Sequence, residues 1–293
     1  MTATTLGFVG LGLMGQGCTQ RLAGKGHRVV GFDADESKTK AAAAWGVAPA
    51  KSAAEVAEAA DIILVSVINT AAVEDVALGP NGLIAAHSPA RKIMVDLSTT
   101  EMGATKRIAA SLEQRAMMFV DAPVSGGPGA AKAGTLAIMA GGPDAAIMQI
   151  APIMRDLGSM THMGAAGTGQ ATKLVNQTIV LTNYCVLAEA LRLAQCYGVD
   201  AAKIPQALKA GFAGSNMLGP LFPQMLAEDF APRGFARQVL KDLEMLQAAA
   251  AAGHLAMPMA SQALTLYRLL VASGKSELDA AAVVTLYPRG DVL

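Results

Sequence analysis

The stretch Gly10-Leu11-Gly12-Leu13-Met14-Gly15 decides the predicted fold, and it directly follows the apolar run Leu6-Gly7-Phe8-Val9. The run is typical of a buried strand, and the residues after the glycines predict a helix. The spacing G-x-G-x-x-G at such a junction permits a tight turn, a close approach of the backbone to a pyrophosphate and close packing of the helix on the sheet. The sequence therefore predicts a dinucleotide-binding loop, with these cofactor-binding residues: Gly10, Leu11, Gly12, Leu13, Met14 and Gly15.

An acidic residue follows the second predicted strand, Arg28–Phe32. A carboxylate at the position of Asp33 can accept hydrogen bonds from the ribose hydroxyls of adenosine and repels a 2′-phosphate. Asp33 therefore favours NAD as the cofactor, although Lys38 could still reach a phosphate and NADP is not excluded. The alternative is that Asp33 caps the next helix, a role that Asp35 or Ser37 could fill instead.

Strand-like runs alternate with helical patterns through the first half of the chain, and only helical patterns follow residue 165. We predict an α/β Rossmann-type doubly wound domain with a parallel sheet over residues 1–165. An all-α domain over 166–293 is joined to it by a long interdomain helix at about 170–197, and Ser276-Glu277-Leu278-Asp279 resembles a helix-capping box. The later predicted strands are Ile62–Val67, Ile93–Asp96, Met118–Asp121 and Leu136–Ala140.

Composition limits the classes of function. The chain has 293 residues, 53% of them hydrophobic, and a formal net charge of +0. The balanced charge predicts no nucleic-acid partner, and the punctuated apolar stretches predict no membrane span. The three cysteines lack framework spacing and the N-terminus lacks a basic leader, so we expect a cytoplasmic protein. The four scattered histidines predict no metal site.

A lysine lies near the start of the long predicted helix, after Gly167-Thr168-Gly169-Gln170-Ala171-Thr172. Asn176 and Gln177 follow Lys173 by three and four residues and so share its helix face. Interconverting an alcohol and a carbonyl moves a hydride at carbon and a proton at oxygen, and Lys173 is a candidate for that acid or base. Asn176 could orient the lysine or the substrate. The commoner alternative for an isolated lysine is a surface residue.

Together these segments resemble the β-hydroxyacid dehydrogenase family over nearly the full length. The resemblance includes a substrate-binding motif, a catalytic motif and a later lysine motif near the nicotinamide. The matching segments are Phe8 to Gly15, Asp121-Ala122-Pro123-Val124-Ser125-Gly126-Gly127 with Ala131 and Gly134, the set Gly167, Gly169, Lys173 and Asn176, and Lys241-Asp242-Leu243.

The resemblance implies roles for the remaining site residues. Lys173 and Asn176 are the catalytic pair, and Ser125, Gly126, Gly127 and Gln177 bind a small carboxylate substrate. Hydroxyl and backbone N–H donors in a glycine loop suit such an anion. Thr99, in Asp96-Leu97-Ser98-Thr99, and Lys241 contact the cofactor. Ser66-Val67-Ile68-Asn69 replaces the family's usual Met-Leu-Pro cluster, and within it Val67 and Ile68 are predicted to contact the cofactor. The resemblance also implies a homodimer or homotetramer.

The pair Asn176-Gln177 replaces the two asparagines of many 3-hydroxyisobutyrate dehydrogenases. Together with Ala213-Gly214-Ser215, it resembles the tartronate semialdehyde reductase (2-hydroxy-3-oxopropionate reductase) branch. We therefore predict an NAD(H)-dependent oxidoreductase that interconverts a small β-hydroxy acid and its semialdehyde or keto acid.

Four other interpretations remain open at this point. Two lie within the family: a 3-hydroxyisobutyrate dehydrogenase, and a glyoxylate or succinic semialdehyde reductase. A third, an imine reductase, generally lacks the lysine. The fourth belongs to another class, a non-catalytic NAD(P)-binding protein on the same fold. Such proteins tend to lose the lysine or the glycine loop, and Lys173 and the Ser125–Gly127 loop are both present here.

Overall fold

The computed structural model describes residues 5–290 of the chain. Residue contacts divide the chain into two compact units, Met1–Lys173 and Leu174–Leu293. The predicted domain boundary, between residues 165 and 166, precedes the long helix, whereas the division by contacts falls in that helix.

Strands and helices alternate through the first unit. Its strands are β1 Thr5–Val9, β2 Arg28–Phe32, β3 Val47–Pro49, β4 Ile62–Val65, β5 Ile93–Asp96, β6 Met118–Asp121, β7 Val124–Ser125, β8 Leu136–Gly141 and β9 Gly158–Gly164. Its helices before the long one are α1 Leu13–Gly24, α2 Glu36–Ala42, α3 Ala53–Ala59, α4 Thr70–Leu78, α5 Met102–Glu113, α6 Gly127–Ala133 and α7 Asp144–Leu157.

The sheet has the order β3-β2-β1-β4-β5-β6-β8-β7, with β9 paired to β8. The strands from β3 to β6 run parallel, which confirms the predicted doubly wound α/β class. The prediction that the strand at Leu136 continues the parallel set is wrong, because β8 runs antiparallel to β6 and β7. The connection from β7 to β8 is shorter than a parallel crossover requires, so the chain returns in the opposite direction.

Apolar side chains cover both faces of the parallel strands, as the continuous apolar runs predict. Phe8 and Leu64 belong to one buried cluster, and Ile63 and Met94 to another. The carboxyl ends of the parallel strands meet at one edge of the sheet. In an open α/β sheet, ligands bind in the crevice outside that edge.

The long predicted helix is α8, Thr168–Cys196. It is followed by α9 Ile204–Leu208, α10 Leu218–Leu226, α11 Ala236–Ala252, α12 Pro258–Ala272 and a 3-10 helix over Ala280–Leu286. The described part of the second unit contains no named strand, which agrees with the predicted all-α class. Its core includes the fully buried Tyr267 and Phe222.

The predicted capping box at Ser276 is wrong. The cap is Asp279, whose carboxylate accepts a hydrogen bond from the Ala281 N–H and begins the 3-10 helix. The Ser276 hydroxyl instead contacts its neighbour Glu277. Asp279 also accepts from the N–H groups of Arg233 and Gly234, so tertiary contacts select it as the cap.

Helix α8 is the one helix of the described chain that is long and apolar enough to cross a membrane, judged by length and composition only. One side of it contributes Leu181, Ala188 and Leu191 to the core of the second unit. The helix ends at Cys196, and Gly198, two residues further on, has the left-handed φ of 64° that suits the predicted C-terminal cap.

Candidate active site

The glycine loop after β1 leaves open space in front of a helix N-terminus. Gly10 has a φ of 94°, and a Cβ there would lie 2.1 Å from the Ser66 carbonyl oxygen. A Cβ on Gly15 would lie 1.9 Å from the Gly10 carbonyl oxygen, so helix and loop pack too closely for a side chain. A Cβ on Gly12 would meet no heavy atom within 4 Å. The loop therefore fits a pyrophosphate, which would meet the N–H groups that begin α1.

The Asp33 side chain, directly after β2, forms a hydrogen bond with the backbone of the glycine loop. Its Oδ2 accepts a hydrogen bond of 2.7 Å from the Leu11 N–H, and its side chain is only 12% exposed. The alternative role of helix cap belongs to Asp35, whose carboxylate accepts from the Ser37 N–H. Asp33 Oδ1 accepts a hydrogen bond of 2.8 Å from the Asp35 N–H, so each oxygen of this carboxylate already accepts one backbone hydrogen bond. A carboxylate oxygen can accept a second one, which a ribose hydroxyl could donate. Lys38, the residue that could reach the 2′-phosphate of NADP, has its ammonium group 3.8 Å from Asp33 Oδ1 and 3.5 Å from Asp35 Oδ2.

The loops that follow β4 and β5 are joined by a hydrogen bond at the carboxyl edge of the parallel strands. The Val67 N–H donates to Ser98 Oγ at 3.0 Å. Asp96 shapes the second loop, because its two oxygens accept from the Ser98 N–H and the Thr100 hydroxyl. Thr99, in that loop, is half-buried.

Of the other predicted cofactor residues, Leu13 and Ile68 are exposed and Met14 is half-buried. Exposed apolar side chains beside the glycine loop leave surface for a bound dinucleotide to cover.

A buried carboxylate holds the start of α8. Asp121, at the end of β6, accepts hydrogen bonds from the N–H groups of Gly167 at 2.7 Å and Gln170 at 2.8 Å. Burial raises the pKa of Asp121 to about 6, the two backbone hydrogen bonds partly oppose that rise, and the charge of Asp96 adds to it. Asp96 and Asp121 are register partners on adjacent strands, so two carboxylates share this edge.

Lys173 is buried, with 7% of its surface exposed, so the surface-lysine alternative is wrong. Its Nζ donates to the Val124 carbonyl oxygen at 2.8 Å. That carbonyl belongs to β7, directly before Gly126 and Gly127, whose φ values are 131° and 72°. Successive backbone N–H groups in a turn conformation can form a concave anion site, and Gly126 also caps the N-terminus of α6. The first unit thus brings a buried ammonium group to the predicted carboxylate loop.

The second unit assembles another group of predicted residues. Asn176 donates its side-chain amide to Gln177 Oε1 at 2.8 Å, and Gln177 donates to Asp242 Oδ2. The Lys241 ammonium lies 3.1 Å from Asp242 Oδ1. Asp242 therefore orients two of the predicted site residues from α11.

Several polar residues at these sites were not assigned a role from the sequence, among them Asp121, Gln170 and Asp242. Asp121 and Asp242 stand in the quoted motifs, and an acidic residue ending an apolar strand is a usable signal for the first. Gln170 carries no such signal, because a glutamine in the first turn of a helix is ordinarily a surface residue. In the described residues 5–290, no group of three or more His, Cys, Asp or Glu side chains could hold a metal ion.

The chain matches two family models that together cover most of its length. Residues 5–166 match the NAD binding domain of 6-phosphogluconate dehydrogenase. Residues 167–287 match the model described as NAD-binding of NADP-dependent 3-hydroxyisobutyrate dehydrogenase.

Individual proteins are similar over nearly the full length. The 2-hydroxy-3-oxopropionate reductase of Escherichia coli K12 is 37% identical over 284 residues, covering 95% of each chain. A probable mitochondrial 3-hydroxyisobutyrate dehydrogenase-like protein of Arabidopsis thaliana is 34% identical, covering 98% of this chain and 88% of its own. The solved structure of Mycobacterium tuberculosis 3-hydroxyisobutyrate dehydrogenase with L-serine has a TM-score of 0.84 at 31% identity, covering 98% of this chain and 100% of its own.

The fold and these matches define the chain as an NAD(P)-dependent oxidoreductase. It belongs to the β-hydroxyacid dehydrogenase family, as the resemblance of its motifs indicated.

Proposed function

We propose that the protein interconverts a small β-semialdehyde acid and its β-hydroxy acid with NAD(H), most like tartronate semialdehyde reductase. One observation carries the proposal: the buried Lys173 ammonium donates to Val124 O, directly beside the Ser125-Gly126-Gly127 loop. A proton donor and an anion site within a few residues of each other suit a substrate whose carbonyl lies close to its carboxylate.

The proposed chemistry divides between the cofactor and the chain. A nicotinamide cofactor, when bound at the glycine loop, would supply the hydride to the carbonyl carbon in reduction and would accept it in oxidation. Lys173 gives a proton to the carbonyl oxygen in reduction and removes one from the hydroxyl in oxidation, so charge and protons balance. The Ser125 hydroxyl and the N–H groups of Gly126 and Gly127 bind the carboxylate.

Residues of the second unit complete the proposal. Asn176 orients Lys173 or the substrate, and Gln177 binds the substrate. Lys241 contributes on the nicotinamide side. Asp242 supports them indirectly, because its carboxylate accepts a hydrogen bond from Gln177 and its Oδ1 lies 3.1 Å from the Lys241 ammonium. Fixed donors lower the cost of ordering the site when substrate arrives.

Two observations support the cofactor and the branch. Asp33 ends β2 with a carboxylate bound to the Leu11 N–H, where a 2′-phosphate would be repelled. The Asn176-Gln177 pair is typical of the tartronate semialdehyde reductase branch, and the E. coli relative that is 37% identical carries that activity in its name. We therefore propose NADH over NADPH, and tartronate semialdehyde as the substrate.

The test is a panel of initial rates. Tartronate semialdehyde, methylmalonate semialdehyde, succinic semialdehyde and glyoxylate are compared with NADH and with NADPH, each beside its methyl ester. We expect the highest kcat/KM for tartronate semialdehyde with NADH and a large preference for each acid over its ester, because the ester lacks the charge that the loop would meet. Faster turnover of methylmalonate semialdehyde would favour a 3-hydroxyisobutyrate dehydrogenase. Equal rates for acids and esters would refute the carboxylate site.

We also propose that the protein forms a homo-oligomer through α8. Large exposed apolar side chains recur along the helix at intervals of four and seven residues, which places them in one narrow stripe. They are Val175, Ile179, Val186 and Leu193, continued past the helix end by Tyr197. A second copy of the chain could bury such a stripe. Light scattering should give a dimer or tetramer, and Ile179→Glu with Leu193→Glu should lower the mass. A wild-type monomer at micromolar concentration would contradict the proposal.

A further inference from the structure

The side chain of Gln170 joins two segments of the first unit. Its Oε1 accepts a hydrogen bond of 3.0 Å from the Thr100 N–H, and its Nε2 donates to the Ser98 carbonyl oxygen at 2.8 Å. Gln170 is only 1% exposed. Both ends of one buried amide therefore bind the backbone on either side of Thr99.

The two joined segments lie at the sheet edge where ligands bind in such folds. The Ser98–Thr100 loop follows β5. Its Ser98 hydroxyl oxygen accepts a hydrogen bond from the Val67 N–H of the neighbouring loop. Gln170 lies in the first turn of α8, three residues before Lys173. Asp121 holds the Gln170 backbone N–H at the same time, so Gln170 is fixed through both its backbone and its side chain.

We propose that Gln170 is a positioning residue that sets the Ser98–Thr100 loop at a fixed distance from the helix turn that carries Lys173. The inference rests on the proposed roles of Thr99 toward the cofactor and Lys173 toward the substrate oxygen. Hydride and proton transfer require that the cofactor and the Lys173 ammonium are both correctly placed at the substrate carbonyl. A misplacement of about 1 Å can lower the rate by about 100-fold. Gln170 acts on the rate through these two segments and touches neither substrate nor cofactor.

Gln170→Met tests this role, because it keeps the approximate volume and removes both hydrogen bonds. We expect kcat for the best acid substrate to fall by about 10-fold to 100-fold. The dissociation constant of NADH, measured by fluorescence, should change by less than about threefold, since the glycine loop and Asp33 are untouched. The primary deuterium isotope effect with 4-deuterated NADH should rise as hydride transfer becomes rate-limiting.

Gln170→Glu separates the two hydrogen bonds. Its carboxylate keeps the acceptor for the Thr100 N–H but cannot donate to Ser98 O until it is protonated. The kcat ratio of Gln170→Glu to Gln170→Met should therefore rise as pH falls. The charged groups around position 170 are Asp96 from β5, Asp121 from β6, Lys106 from α5 and Lys173 from α8 itself. They are present in both variants, so the ratio reports the introduced carboxyl together with its electrostatic coupling to Asp121.

A readout without cofactor or substrate is amide hydrogen exchange of the protein alone. Exchange should accelerate in residues 98–100 and 167–170 of Gln170→Met. The matched control is Gln224→Met, which removes a buried hydrogen bond to Asp279 Oδ1 at 2.9 Å in the second unit. The control should lower stability and leave kcat, the isotope effect and exchange at 98–100 unchanged.

The outcomes distinguish this inference from the proposed function. A wild type that reduces no acid of the panel refutes the proposed substrate, while the exchange measurement still decides whether Gln170 holds the two segments. An active wild type with unchanged kcat and isotope effect in Gln170→Met overturns the positioning role. So does unchanged exchange at 98–100, or an equal loss of kcat in Gln224→Met.

Discussion

Replacing Asp121 by Asn should change the pH dependence of stability in a direction that the structure fixes. Asp121 is fully buried, and burial raises the pKa of its carboxyl from 3.8 to about 6. Because the folded-state pKa lies above the unfolded one, the folded protein binds more protons between about pH 4 and pH 6. The contribution of Asp121 to the free energy of unfolding is therefore greatest below pH 4 and falls as pH rises through 6.

The size of this effect follows from the same values. The interval between 3.8 and about 6 corresponds to about 3 kcal/mol, which is an upper bound for the change. Urea unfolding of the wild type and Asp121→Asn at pH 4, 5, 6 and 7 measures it, since carboxyl groups that do not interact with Asp121 cancel in the difference. The chain's single tryptophan, Trp45, packs against the core of the first unit and reports on that unit.

The stability advantage of the wild type over Asp121→Asn should shrink by up to about 3 kcal/mol between pH 4 and pH 7. The lost backbone hydrogen bond in the variant adds an offset that does not depend on pH. An advantage that grows with pH would contradict this prediction. It would mean that the N–H groups of Gly167 and Gln170 stabilise the carboxylate more than burial destabilises it.

Other substitutions test the cofactor and carboxylate sites. Asp33→Ala should weaken NADH binding by about 10-fold, because a charged hydrogen-bond acceptor is lost, and it should reduce the difference in affinity between NADH and NADPH. The helix-cap variant Asp35→Ala is the control and should leave the preference for NADH over NADPH unchanged. A wild type that uses NADPH as efficiently as NADH would contradict this role of Asp33. Gly126→Val should abolish the preference for acids over esters, because its Cβ would lie 2.6 Å from Ala130 Cβ at a φ of 131°. Gly129→Ala, in the helix α6 that Gly126 precedes, is the control, since a Cβ there meets no atom within 4 Å. An unchanged preference for acids in Gly126→Val would exclude the loop as the anion site.

The elements that the sequence predicted well are those with a strong periodic pattern. The apolar runs at β1, β2, β5 and β6 have the predicted bounds within a residue or two, and the long helix begins and ends close to its prediction. Strand β9 carries the polar and exposed sequence Gly158–Gly164, and it forms because β8 offers a partner edge. Such pairing depends on tertiary structure and leaves no local pattern.

The candidate site divides in the same way. The glycine loop, Asp33 and Lys173 could be predicted because their chemistry follows from residue type and position after a strand or at a helix start. The hydrogen bond from Lys173 Nζ to the Val124 carbonyl oxygen could not be predicted, since it joins residues far apart in sequence. The two hydrogen bonds made by the Gln170 side chain also depend on tertiary structure, because only the fold brings Ser98 and Thr100 to that side chain.

The most direct test of the account is the turnover of Lys173→Ala. The variant removes the proposed proton donor and leaves the glycine loop and Asp33 in place. With the acid substrate that the wild type reduces best, we expect kcat to fall by about 10²-fold to 10⁴-fold and the NADH dissociation constant to stay nearly unchanged. Near wild-type turnover in Lys173→Ala would contradict the account, because the proton would then come from another group.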